Sequence, residues 1–176
     1  MNVPGESPFI IAPLAGFSPQ IGRLVAMLTY VRRVTVDSVA GLTVDQLDYL
    51  ASPTGNSVGA LLAHIAAVEV ACQVDTFEER ELNTEEILRL GSALSLGERA
   101  QAEIRGRDLG YYLDLLTDVR RRTLAELARR DDVWLEATSA FRGGLPTNNH
   151  FLWFHVLEDE ISHCGQIRLL RRMILV

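Results

Sequence analysis

The chain of 176 residues contains no lysine, so arginine supplies all 17 of its basic side chains. A protein without lysine cannot form the Schiff base on which pyridoxal enzymes and aldolases depend, and it has no phosphate-loop lysine. Its 23 acidic residues give a formal net charge of -6. This acidic balance argues against a nucleic-acid-binding protein, which usually carries a basic face. These absences direct attention to histidine and carboxylate chemistry.

Cysteine and targeting signals are scarce as well. Cys72 and Cys164 are too few for a disulfide framework, which favours a reducing cytoplasm. The apolar run at residues 9–14 is interrupted by proline and has no basic flank before it, since the first basic residue is Arg23. It fits neither a signal peptide nor a membrane span. We therefore expect an N-terminal arm at residues 1–17 and a single cytoplasmic domain at residues 18–176, with no membrane partner.

Apolar residues recur at helical spacing in four long segments. The first is predicted to begin at Ser18, whose successor is proline, and to end at Gly41. The second should cover about 57–77, the third should begin near Asp108, and the fourth should run from about Asn149 to the C-terminus. No strand pattern accompanies them. The sequence therefore predicts an all-α fold, a four-helix bundle.

Short elements are expected between the long helices. A capping-box pattern at residues 43–46, a local start signal at 83–86 and a capping-box pattern at 95–98 each predict a helix start. The last two lie in the polar stretch 78–107, which we interpret as short helices inserted between the second and third long helices. Residues 138–148, with Gly143, Gly144 and Pro146, are expected to form a loop.

Three polar side chains fall on the apolar faces of two predicted helices. His163 shares the inward stripe of the fourth helix, Asp159 lies one turn before it, and His64 lies on the inward stripe of the second helix. Aspartate and histidine at positions i and i+4 project from one face and can share a metal ion. Two histidines and one carboxylate leave coordination positions open, as in catalytic sites.

Each of these residues also has a purely structural interpretation. His64 could be a hydrogen-bonded core histidine, and Asp159 could pair with His163 or with Arg168 or Arg171. For any one residue the structural interpretation is the commoner one. Their joint occurrence on two helices that a bundle brings face to face favours a metal site.

Three segments resemble a known family. Residues 55–69 read Gly-Asn-Ser-Val-Gly-Ala-Leu-Leu-Ala-His-Ile-Ala-Ala-Val-Glu, and residues 155–167 read His-Val-Leu-Glu-Asp-Glu-Ile-Ser-His-Cys-Gly-Gln-Ile. Together with Gly-Leu-Thr-Val-Asp-Gln-Leu at 41–47, they resemble the signature segments of the DinB-like superfamily of metal-binding four-helix bundles. The resemblance is strongest to the branch of mycothiol-dependent maleylpyruvate isomerase and the bacillithiol S-transferases, and it covers residues 21–176.

The resemblance implies a divalent metal, zinc or nickel, held by His64, Asp159 and His163. The family usually has histidine or glutamate where this chain has Asp159, whose shorter side chain puts the strength of metal binding in question. The implied activity is thiol S-transfer or thiol-dependent isomerisation, in which a metal-activated low-molecular-weight thiolate attacks a small electrophile. A homodimer is also implied.

Residues that would contact the thiol or the electrophile are less clearly marked. His155, Trp153 and Tyr112 are candidates for the electrophile pocket, and Arg168 is a candidate for holding a carboxylate of the thiol. Aromatic residues at helical spacing are more often core residues. Cys72 and Cys164 are interpreted as packed thiols.

Two other functions remain open. One is a non-catalytic, stress-related bundle whose metal binding has been weakened by the aspartate at position 159. The other is a metallohydrolase that uses metal-bound water on the same ligands. A requirement for thiol separates the proposed transferase from the hydrolase.

Overall fold

The computed structural model describes residue 7, residues 9–140 and residues 145–174. Arm residues 1–6 and 8, loop residues 141–144 with Gly143 and Gly144, and residues 175–176 lie outside the described part. Four long helices pack together: α1 (Pro19–Val39), α3 (Val58–Phe77), α6 (Leu109–Leu127) and α8 (Asn149–Ile174). The shorter helices are α2 (Val44–Leu47), α4 (Thr84–Ser95), α5 (Gly97–Glu103) and α7 (Asp132–Glu136). The predicted all-α bundle, with short helices between its second and third long helices, is confirmed.

Most of the predicted helix starts are observed with a side chain that caps the N-terminus of the helix. Thr43 and Asn83 each form a reciprocal capping box with the glutamine or glutamate three residues later. The capping box predicted at 95–98 is wrong. Ser95 is the last residue of α4, and α5 begins after Leu96, which has a φ of 54° and offers no side-chain cap. Ser18 precedes α1 without capping it, since its hydroxyl donates to Asp132.

A small hairpin replaces part of the predicted loop at 138–148. Strand β1 (Thr138–Ala140) pairs antiparallel with β2 (Pro146–Asn148), so that Thr138 is opposite Asn148. Strands of three residues are too short to show an alternating pattern, which is why the sequence did not reveal them. The hairpin leads directly into α8.

Helix α3 lies at the centre of the bundle. Its length and a mean hydropathy of 1.5 would suit a membrane span, but 72% of that window is buried inside the bundle. A core helix that is covered on several sides has the same apolar composition. Helix α3 packs against α6, α8 and α4, and it carries His64 into the interior.

A network of four charged residues crosses the core, with one residue from each long helix. Arg120 of α6 donates to Glu69 of α3 through Nε and Nη2, at 2.7 and 3.0 Å, and reaches Glu160 of α8 at 3.1 Å. Arg32 of α1 bonds Glu160 at 2.7 Å and Glu69 at 2.8 Å. The sequence had singled out Asp159 as the inward acidic residue, yet Glu69 and Glu160 are more deeply buried, at 0% and 1% exposed.

Candidate metal centre

The structure brings His64, Asp159 and His163 together between α3 and α8. Asp159 Oδ1 lies 3.4 Å from His64 Nε2 and 3.4 Å from His163 Nε2. One donor atom from each residue can be chosen so that all three lie within 4.8 Å of one another. The two histidine rings meet edge to face, with centroids 4.6 Å apart. The helical phases read from the sequence therefore do place these side chains at one point.

The ring of His64 is oriented by a second contact. Its Nδ1 lies 2.8 Å from the carbonyl oxygen of Ala93 in α4, so Nδ1 carries the proton and donates it. This leaves Nε2, which faces Asp159, as the ring nitrogen that a metal would bind, an arrangement common among metal-binding histidines. The inserted helix α4 thus has a defined role, because it fixes the tautomer of a proposed ligand.

The electrostatics of the three residues are dominated by burial and by mutual pairing. Burial lowers the pKa of His64, but its bonds to Asp159 and to the Ala93 carbonyl outweigh burial and leave that pKa above its ordinary value. Burial raises the pKa of Asp159, but the hydrogen bonds from His163 and His64 outweigh it and hold the pKa well below its ordinary value. The site therefore presents an ionised carboxylate between two imidazoles.

Two observations test whether these residues fit a metal ion. A separation of 3.4 Å is long for a hydrogen bond, whereas two atoms bound to a tetrahedral zinc lie about 3.3 Å apart when each bond is about 2.0 Å. In addition, Asp159 Oδ2 and His163 Nδ1 are buried and have no hydrogen-bond partner within the described part of the chain. Buried polar atoms normally have a partner, which an ion, ligand or water supplies. The donor set fits a divalent metal.

A cavity of about 490 Å³ opens beside the three residues. Both α3 and α8 contribute to its wall, with one residue from α4. Most of the lining side chains are apolar, and four are polar or charged. The cavity is lined by His64, Val68, Ala71, Cys72, Asp75, Leu94, Leu152, His155, Val156 and Asp159. It is large enough for a small organic molecule.

The other predicted contact residues are divided between the cavity and the core. His155 lines the cavity, and its Nδ1 lies 3.4 Å from Glu158 Oε2. Trp153 is fully buried and donates to Thr76 Oγ1, so it belongs to the core and not to the cavity wall. Tyr112 is also fully buried, in the core cluster of α3 and α6.

Arg168 does not line the cavity beside the three residues. It borders a separate groove of about 530 Å³ between α1 and α8, together with Cys164 and Gly165. Cys164 is buried there, as expected of a packed thiol, with its Sγ 3.8 Å from Ser38 Oγ.

Two further residues line the cavity. Cys72 packs against the core, as predicted, and also borders the cavity, whereas Asp75 was not considered from the sequence. Burial raises the pKa of the Cys72 thiol well above its ordinary value, which disfavours the reactive thiolate. The signal was available, since Val68, Cys72 and Asp75 follow His64 along one helical stripe.

Comparison with known proteins agrees with this geometry. The family model described as mycothiol S-transferase matches residues 23–175 of the chain. The chain belongs to the mycothiol S-transferase family. The resemblance to the DinB-like superfamily is confirmed with it. No curated protein matches the sequence of the chain significantly.

A solved structure shows the same fold. A conserved protein of a locus from Enterococcus faecalis superposes with a TM-score of 0.66, over 86% of this chain and 95% of that one. The two sequences are 18% identical. At this identity the likeness establishes that the two chains share the bundle architecture. It establishes nothing about the substrate.

Proposed function

We propose that this protein is a divalent-metal-dependent thiol S-transferase that uses mycothiol, with His64, Asp159 and His163 as the metal ligands. The observation that carries the proposal is the convergence of three donor groups, one buried and two partly buried, beside a cavity in a chain of the mycothiol S-transferase family. Zinc or nickel suits two imidazoles and one carboxylate. A small electrophile is the second substrate.

When bound, the cation would lower the pKa of a thiol that reaches it, so that the thiolate forms at neutral pH. The residues of the chain would balance the charge of the cation, orient its ligands and exclude water. Asp159 offsets part of the positive charge, and the Ala93 carbonyl holds His64 in its metal-binding tautomer. The apolar walls formed by Leu152 and Val156 exclude water from the electrophile.

The proposed transfer is a nucleophilic substitution, in which atoms and electrons balance. The S–H bond of the thiol breaks, and its proton passes to solvent. The sulfur then forms a bond to an electrophilic carbon, and the leaving group departs with its bonding electron pair. No oxidant or reductant is consumed.

The metal assignment is tested by metal analysis of protein purified without chelator. The wild type should carry close to one zinc or nickel per chain, while His64→Ala should lose most of it because one of three ligands is missing. His155→Ala is the matched control, since His155 lines the same cavity but stands outside the donor set, and it should keep its metal. Equal and negligible metal in wild type and His64→Ala would refute the assignment.

The reaction is tested by mycothiol-dependent consumption of a model electrophile. Asp159→Ala should abolish it, with helix content unchanged by circular dichroism. Consumption that proceeds equally without thiol would favour the metallohydrolase instead. Metal binding without any turnover would favour the non-catalytic bundle.

A further inference from the structure

The cavity is a long slot between two antiparallel helices. His64 of α3 meets Asp159 of α8 at one end, and Trp153 of α8 donates to Thr76 of α3 further along. Residue numbers thus rise along α3 while they fall along α8. Asp75 lies 75 − 64 = 11 residues after His64 on the same helix, which corresponds to about 16 Å at 1.5 Å per residue.

Along α3 both ends of this slot are polar, and mostly apolar side chains lie between them. Val68, Ala71 and Cys72 lie between His64 and Asp75, and His155 of α8 is a further polar residue of the wall. Asp75 lines the far end, where its side chain stays open to solvent, and partial burial raises the pKa of its carboxyl group. Within the described part of the chain, no arginine is among the residues that line the slot. Among the described residues, no arginine forms a salt bridge with Asp75, although such pairs are frequent elsewhere on the chain.

This distribution of charge bears on the kind of molecule that fits. An extended thiol with its sulfur at the three metal-site residues would place its distal end near the Asp75 carboxylate. A carboxylate at that end would meet the negative charge of Asp75, and no arginine of the described residues lines the slot to offset it. A hydroxyl group would instead donate a charge-assisted hydrogen bond to Asp75.

We propose that Asp75 is the residue that recognises the distal end of the thiol, accepting a hydrogen bond from a hydroxyl group about 16 Å from the metal-site histidine. The slot then selects uncharged, hydroxyl-rich thiols over thiols that carry carboxylates. This inference rests on the proposed thiol-transfer function, and it adds a specificity-determining residue to it.

The test measures binding separately from metal chemistry. The probes are S-methyl mycothiol and S-methyl glutathione, whose blocked sulfurs cannot form a thiolate, and the readout is isothermal titration calorimetry. The wild type should prefer S-methyl mycothiol. Asp75→Asn should weaken its binding about tenfold or more, because a charge-assisted hydrogen bond is replaced by a neutral one. Asp75→Arg should shift the preference towards S-methyl glutathione, which carries carboxylates.

Asp114→Arg is the matched control. Asp114 is an exposed carboxylate on α6 outside the slot, so this variant has the same change in net charge without a change in the cavity. It should bind both probes as the wild type does, and all the variants should keep their metal. Unchanged binding of both probes by Asp75→Asn and Asp75→Arg would overturn the proposal.

The same titration separates this inference from the proposed function. A preference for S-methyl mycothiol that depends on Asp75, in a protein that carries no metal and consumes no electrophile, would support the distal site and refute the transferase. Turnover with mycothiol that is indifferent to Asp75 would support the transferase and refute the distal site.

Discussion

Arg120→Met should be among the most destabilising single substitutions in this chain. The Arg120 guanidinium bonds Glu69 at two points, Glu160 at one and the backbone carbonyl of Leu28 at 2.6 Å. Two arginines and two glutamates balance in charge, and removing one arginine leaves a net negative charge in the core. Breaking a buried pair by removing one partner typically costs about 3–5 kcal/mol, a large part of the roughly 5–15 kcal/mol that stabilises a domain.

The effect is measured by urea unfolding followed by circular dichroism, with the free energy extrapolated to water. Arg121→Met is the control, because Arg121 is the next residue on α6 and its side chain is 77% exposed. Its pairing with Asp118 is a surface contact, so its loss should change the free energy of unfolding by no more than about 0.5 kcal/mol. A similar small change for Arg120→Met would refute the interpretation of the network.

Charge balance can be tested by a second substitution. In the double variant Arg120→Met with Glu160→Gln, one arginine again faces one glutamate in the core. The loss of stability should therefore be smaller than the sum of the two single losses by about 1 kcal/mol or more. Strict additivity would show that lost packing, and not uncompensated charge, causes the destabilisation.

The pH dependence gives an independent check. Burial raises the pKa of Glu69, but Arg120 and Arg32 outweigh burial and lower it to about 2 from an ordinary value of 4.5. In the wild type this contribution is present above pH 4.5 and is lost as the pH falls towards 2. Removing Arg120 raises the pKa of Glu69. As the pH falls, Glu69 is therefore protonated at a higher pH in the variant than in the wild type, and this removes the uncompensated negative charge from the core. The difference in stability between wild type and Arg120→Met should narrow over this range, and a constant difference would contradict the assignment.

Three further outcomes are expected. Gly59→Ala should lower stability by about 1–3 kcal/mol, because a Cβ there would lie 2.6 Å from the hydroxyl oxygen of buried Tyr112; Tyr112→Phe should recover part of the loss in a thermal melt. Asn83→Ala should cost about 1 kcal/mol through its capping box, whereas Ser95→Ala, whose predicted box does not form, should cost less in the same melt. Added zinc should raise the Tm of the wild type but not that of His64→Ala, and equal shifts would indicate non-specific binding.

The bundle and the three converging residues were accessible from the sequence because helical periodicity is a local property. The phases of His64, Asp159 and His163 follow from a turn of about 100° per residue, whatever the helices pack against. The hairpin at 138–148 and the false capping box at Ser95 were not accessible, since a pairing partner and a backbone bend at Leu96 decide them.

The absence of lysine and the scarcity of cysteine limited the kinds of reaction that the protein can catalyse. Helical phase then indicated which polar residues face inward. Both conclusions follow from the amino-acid sequence alone. Which inward residues meet depends on the packing of helices that are distant in sequence. Asp159 and Glu160 are neighbours, yet one faces His64 on α3 and the other faces Arg32 and Arg120 on α1 and α6. Only the tertiary structure separates the candidate metal ligand from the buried ion network, because each depends on groups supplied by other helices.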